Sequence, residues 1–167
     1  LLKLRSRETL PDDEMVRLQR ANLLEPASPN PSVETLLHAF LPHVFVDHTH
    51  AAAVLSLTDQ PDPAALCREV FGARMAYVPY VMPGFALAKA AADVFDSDPA
   101  VEGLILLNHG IFTFGANARE AYERMIAMVT LAEARMAMAR AAPGGKTVLK
   151  PAALPAGIAP LAAVAPI

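Results

Sequence analysis

Two histidines two residues apart, His48 and His50, close the short run Val46-Asp47-His48-Thr49-His50. Alternate side chains of an extended strand share a face, so both imidazoles point the same way. A third histidine, His109, follows the apolar run Leu104-Ile105-Leu106-Leu107 in the turn Asn108-His109-Gly110. If the two strands are neighbours, three imidazoles converge at one sheet edge. Three nitrogen ligands and an open position suit a catalytic zinc. Gly110 would let the backbone turn sharply beside a ligand, and Asn108 or Asp47 would fix an imidazole tautomer by a hydrogen bond. The competing reading is a His-x-His pair that is structural or merely on the surface.

Glu34 has two readings of equal weight. In the first turn of a helix a carboxylate is stabilised by the helix dipole. Beside a metal, the same group is a general base that moves a proton on a carbon made acidic by its neighbouring carbonyl. Ser32 and Ser28 precede it in a loop. Either would hold a phosphate together with helix N-terminal amides, or serve as an ordinary N-cap. His38, four residues after Glu34, reads as a local helix pair with it. His43 follows Pro42 near a helix end and reads as a partner of the last carbonyls. Tyr77 and Tyr80 read as core or interface residues.

These residues need elements to carry them. Acids open a short helix over residues 12–21. Three prolines make residues 25–32 a fixed loop. A helix over 32–41, with Ser32 as N-cap, carries Val33, Leu36, Leu37, Phe40 and Leu41 as an apolar stripe. A buried strand over 44–48 and a helical turn over 51–57 follow. A helix over 63–71 ends at Gly72. Residues 76–81 are extended, their proline implying an edge position or a strand end. After an Ala-rich helix over 85–96 come a buried strand, 104–107, and a returning one, 111–114. Asn117 and Glu120 resemble a capping box at the head of the longest helix, which runs to about 141 with Tyr122, Met125, Ile126, Val129 and Ala132 along one face. Strands alternating with helices predict an α/β layered domain over residues 1–142. Residues 143–167, rich in Ala and Pro, read as a C-terminal linker or strap.

Three motifs in this order, Pro31-Ser32-Val33-Glu34-Thr35, His48-Thr49-His50 and Leu106-Leu107-Asn108-His109-Gly110, resemble the class II aldolase/adducin family, over roughly residues 22–140. Glu34–His50 and Tyr77–Gly84 also look like the aldolase half of proteins that join a rhamnulose-1-phosphate aldolase to a short-chain dehydrogenase. The resemblance implies a three-layer α/β/α fold on a largely antiparallel sheet, and a homo-oligomer. It implies His48, His50 and His109 as ligands of Zn(2+), Glu34 as the proton-shuttling acid, and Ser32 as a phosphate contact. The implied reaction cleaves a ketose 1-phosphate to dihydroxyacetone phosphate and an aldehyde without a lysine Schiff base, zinc acting as Lewis acid and template.

The chain also departs from the family pattern. The Ser-Gly-Asn-type and Thr-Gly-type loops that usually lie upstream of the acid do not occur in residues 1–31, and Val33 stands where some relatives have a second serine. With no initial Met, this reads as a domain lacking its N-terminal part, or as one that holds phosphate in another way. No Gly-x-Gly-x-x-Gly is present, so NAD binding is not assigned to this chain; the resemblance implies a short-chain dehydrogenase domain C-terminal to it in a longer protein.

Composition narrows the classes. The chain has 167 residues, 54% hydrophobic and 19% charged, as expected of a globular domain. A net charge of −3 with no basic block argues against nucleic acid. No apolar run approaches the ~20 residues of a membrane span. The single cysteine, Cys67, forbids an internal disulfide and fits a reducing cytoplasm. The rivals to an aldolase are a pentulose-phosphate 4-epimerase with the same zinc site, a non-catalytic adducin-like binding module and an inactive fragment.

Overall fold

The alternation of apolar runs and amphipathic stretches resolves into four strands and six α-helices in the computed structural model, which describes residues 1–141. The expected linker over 143–167 lies outside the described residues. Leu1–Met136 form one compact unit; of a second unit, Ala137–Ile167, only the first few residues are described. The strands are β1 (Phe45–Thr49), β2 (Met75–Val78), β3 (Gly103–Leu106) and β4 (Gly110–Gly115), in spatial order β1-β4-β3-β2.

The connections set the strand directions. A three-residue turn joins β3 to β4, which pair antiparallel, while a crossover through α5 (Phe85–Ser97) makes β2 and β3 parallel. β1 pairs antiparallel with β4, placing His48 opposite Phe112 and Thr49 opposite Ile111. The sheet is therefore mixed, which corrects the largely antiparallel sheet expected. β2 ends before Pro79 and is an edge strand, as the proline implied.

Helices cover both faces of the sheet. Leu104, Leu106, Phe112 and Phe114 pack with Leu36, Leu37 and Phe40 of α2 (Thr35–Phe40) and with Leu87 and Ala91 of α5. Ile105 and Ile111 point the other way. They pack with Val54 of α3 (Ala52–Thr58), Phe71 of α4 (Pro63–Phe71) and Met128 of α6 (Ala118–Ala141). Each large apolar side chain so buried contributes about 1.5–3 kcal/mol. Asp62 caps α4 by accepting from the Ala65 N–H, and Gly72 ends it at φ +61°. Asn117 does cap the head of α6, accepting from the Glu120 N–H, while the Glu120 carboxylate accepts from the Ala116 N–H, one residue before the N-cap that a capping box would use. α1 (Asp12–Arg20) begins with Asp12, Asp13 and Glu14. Among the described residues no helix is long and apolar enough to cross a membrane.

Three local expectations change. α2 starts at Thr35 rather than residue 32, because Ser32 closes a turn: its hydroxyl accepts the Glu34 N–H and its carbonyl accepts the Thr35 N–H. Val33 consequently faces outward. β1 is not a buried strand; it is a sheet edge, with Val44 just before it 87% exposed. On α6 the buried stripe is Ala121, Met125, Met128 and Ala132, while Tyr122 and Ile126 are exposed. The Thr113 hydroxyl donates to the Ala121 carbonyl, which turns that side of α6 toward β4.

Candidate functional site

β4 brings the histidines together. It begins one residue after His109 and lies beside β1, so the turn carrying His109 meets the end of the strand carrying His48 and His50. Their Nε2 atoms converge on Glu34, the residue preceding α2. His109 Nε2 lies 2.7 Å from Glu34 Oε1. His48 Nε2 lies 3.2 Å from the same oxygen and 3.0 Å from His50 Nε2. His50 Nε2 is 4.0 Å from Glu34 Oε1. One ligand atom from each of the four residues fits within a 4.8 Å span, a group able to hold a metal ion.

The backbone explains the closeness. A Cβ on Gly110 would meet the Thr49 carbonyl at 2.7 Å, His50 Cδ2 at 2.9 Å and His48 Cε1 at 3.1 Å. Gly110 thus serves by leaving room for two imidazoles. The sharp turn expected of it falls instead at Asn108, whose φ is +57°. The tautomer-fixing group also differs from expectation. The Asn108 amide donates to Asp59, and Asp47 alternates to the opposite face of β1 from His48. The carbonyl of Ile111 accepts from His48 Nδ1 at 2.9 Å instead. Phe112 stacks on the His48 ring, with centroids 3.9 Å apart and planes 14° from parallel. Sequence reasoning missed both partners, because they follow from the β1–β4 register.

A proton on His48 Nδ1 leaves the Nε2 lone pair facing a carboxylate oxygen at 3.2 Å. That arrangement is repulsive unless a proton or a metal ion lies between them. Burial, aided by His50 and His109, holds His48 below the ordinary histidine range, against the opposing pulls of the Ile111 carbonyl and Glu34. The imidazole is therefore kept in the neutral form that ligates metal. The donor set fits a divalent ion, and His50, its side chain 57% exposed, leaves the cluster open to solvent on one side.

The other singled-out residues separate from this group or join it. Glu34 makes no side-chain cap to its helix; its carboxylate is turned to the imidazoles. Ser32, Thr35 and His38 line a cavity of about 410 Å³ together with Glu34 and His48. No His38–Glu34 side-chain pair forms; His38 sits edge-on to Phe112 at 5.2 Å. His43 does not reach helix carbonyls with its side chain but stacks on Phe114 at 4.3 Å. Tyr77 donates to the Cys67 and Gly72 carbonyls away from the cluster, and burial pushes its phenol up to about 12. Tyr80 is exposed.

Residues 5–136 match the family described as the class II aldolase and adducin N-terminal domain. The chain is 37% identical over 127 residues to the "Uncharacterized oxidoreductase YuxG" of Bacillus subtilis (strain 168), covering 76% of this chain and 18% of that protein. It is 33% identical over 147 residues to a methylthioribulose-1-phosphate dehydratase of Pseudomonas savastanoi pv. phaseolicola, covering 77% of this chain and 72% of that one. The N-terminal class II aldolase domain of a conserved protein from Thermoplasma acidophilum superposes with a TM-score of 0.75 at 38% identity, over 81% of this chain and 62% of that one. The chain thus spans less than a fifth of the Bacillus relative and under two thirds of the Thermoplasma chain.

Proposed function

This chain belongs to the class II aldolase and adducin family, and from that premise we propose that it is a metal-dependent carbon–carbon lyase acting on a sugar phosphate. The observation that carries the reading is the Glu34 carboxylate, 2.7 Å from His109 Nε2 amid three converging imidazoles. His48, His50 and His109 would hold the ion, with Zn(2+) as the metal of first choice for three imidazole nitrogens. A bound divalent ion supplies Lewis acidity toward the substrate carbonyl and orients it.

Glu34 does the proton work. Breaking the carbon–carbon bond of a ketose 1-phosphate leaves an electron pair on the carbon next to the carbonyl. Glu34 delivers a proton to that carbon, giving dihydroxyacetone phosphate, while the other fragment leaves as an aldehyde once its hydroxyl proton is removed. Ser32 supports a phosphate contact: its oxygen already accepts the Glu34 N–H, so its own O–H is available to a substrate oxygen. The low exposure of Glu34 and His109, 19% and 8%, favours proton transfer sheltered from bulk water. A cytoplasmic homo-oligomer, and a dehydrogenase domain C-terminal to this chain, complete the proposal; an oxidoreductase relative matched over a small part of its length supports the latter.

The Pseudomonas relatives favour a second reading, dehydration of a ketose 1-phosphate. Glu34 would then take a proton from the carbon beside the carbonyl as a hydroxyl leaves. The two reactions differ in products. The zinc-loaded chain incubated with rhamnulose 1-phosphate is expected to release dihydroxyacetone phosphate, read by a coupled reductase. A single dehydrated phosphate from methylthioribulose 1-phosphate, with no cleavage of the first sugar, would transfer the assignment to dehydration.

A further inference from the structure

His38 is the one histidine on the cavity wall that the proposed chemistry leaves without a task. It lines the cavity of about 410 Å³ with Ser32, Glu34, Thr35 and His48. The residue is exposed overall, while Phe112 covers part of its ring. Phe112 relates it to the metal-side cluster, meeting His38 edge-on at 5.2 Å and stacking on His48 at 3.9 Å. One phenyl ring thus seats an imidazole of the cluster and a second imidazole beside it. No side-chain hydrogen bond within the described residues occupies the His38 nitrogens, and its backbone alone bonds to Glu34. The cavity wall therefore presents two hydroxyls and an imidazole not committed to the protein.

From this placement we infer that His38 is a substrate-binding residue that hydrogen-bonds a hydroxyl of the sugar. A neutral imidazole donates through one nitrogen and accepts through the other, which matches a hydroxyl group. Burial holds His38 below the ordinary histidine range, against the opposing pulls of Glu34 and Asp47, in keeping with that neutral form. His38 stands one helical turn from Glu34 on α2, so the helix that presents the proton-moving carboxylate would also grip the sugar. This inference rests on the lyase reading above.

Steady-state cleavage of rhamnulose 1-phosphate by the zinc-loaded chain tests it, with bound metal measured in parallel. Losing one neutral hydrogen bond in His38→Ala is expected to raise KM roughly fivefold to tenfold and change kcat less than about twofold. Bound metal and the inhibition constant of inorganic phosphate should stay at the wild-type level. His38→Gln, which keeps a donor and an acceptor, should recover most of the KM and covers the case in which the alanine variant folds poorly. An unchanged KM in His38→Ala overturns the inference. So does a glutamine variant no better than alanine, or a phosphate constant rising in step with KM, which would make His38 a phosphate contact. A wild-type chain that binds zinc yet leaves the sugar intact would sink the lyase reading, and this inference with it. Turnover by wild type with an indifferent His38→Ala sinks the inference alone.

Discussion

Two histidine–phenylalanine stacks lie side by side along β4, and only one belongs to the site. His48 stacks on Phe112 at 3.9 Å, and His43 stacks on Phe114 at 4.3 Å. Both phenyl rings point to the same face of the sheet, two residues apart. Burial lowers both imidazoles. They differ in what their nitrogens meet. His48 presents Nε2 to two more imidazoles and a carboxylate, with Nδ1 held by a carbonyl. His43 keeps a buried Nδ1 with no hydrogen-bond partner, and Phe95 meets its ring edge-on. Ring stacking positions a histidine; convergence of its second nitrogen with other donors makes a group able to hold a metal ion.

The largest expected effect separates the stacks directly. His48→Ala should abolish stoichiometric zinc, read by elemental analysis, and lose turnover with it. His43→Ala should keep the zinc and lose about 1–2 kcal/mol of stability in urea, the scale of a lost aromatic contact. Zinc retained in His48→Ala would make both stacks mere packing. Next, Glu34→Gln removes the carboxylate's charge and proton-moving capacity but keeps its shape. Bound zinc should persist while kcat falls by about 10²–10⁴-fold. If the metal is lost as well, Glu34 is a ligand or a structural group.

Part of this contrast was legible in the sequence. Period-two alternation is enough to put His48 and His50 on one side, and the apolar runs before His50 and His109 mark strands. Asn117 and Glu120 announce the start of α6 from local spacing alone. The remainder depends on which strands pair. The Ile111 carbonyl and the Phe112 ring reach His48 only because β1 lies antiparallel on β4 in one register. Nothing local to Pro42-His43 foretells Phe114. The parallel β2–β3 pair likewise depends on where α5 deposits the chain, which short-range patterns do not encode.

Gly110 sharpens the comparison at a smaller scale. Its hydrogen occupies the space between the His48 and His50 rings, whereas the His43 stack has no such gap to protect. Gly110→Ala would push its Cβ against the Thr49 carbonyl and both imidazoles, at 2.7–3.1 Å. The rings must then shift by tenths of an ångström. Zinc affinity should fall about 10-fold or more, as when groups that orient metal ligands are disturbed. Competition with a calibrated chelator measures this. Affinity unchanged from wild type would mean the rings are not held at the tight spacing seen.

The smallest effect belongs to the silent stack. Burial first, and Arg124 second, hold His43 below the ordinary histidine value of 6.5. In the unfolded chain this imidazole takes a proton as pH drops through that value, while the folded chain resists it. The unfolded state then binds more protons, so stability is lost as pH falls below about 6.5 and is fully present above it. His43→Phe keeps a ring on Phe114 and removes the titration. The gap between urea midpoints at pH 8 and pH 5.5 should narrow relative to wild type. The pH-dependent stability that remains then belongs to other groups, His38 and His48 among them, since burial lowers both. Adding zinc should stabilise both proteins, since an ion held by the proposed ligands would bind the folded state alone. If instead His43→Phe changes zinc-induced stabilisation, the two stacks along β4 are coupled and the division between packing and site does not hold.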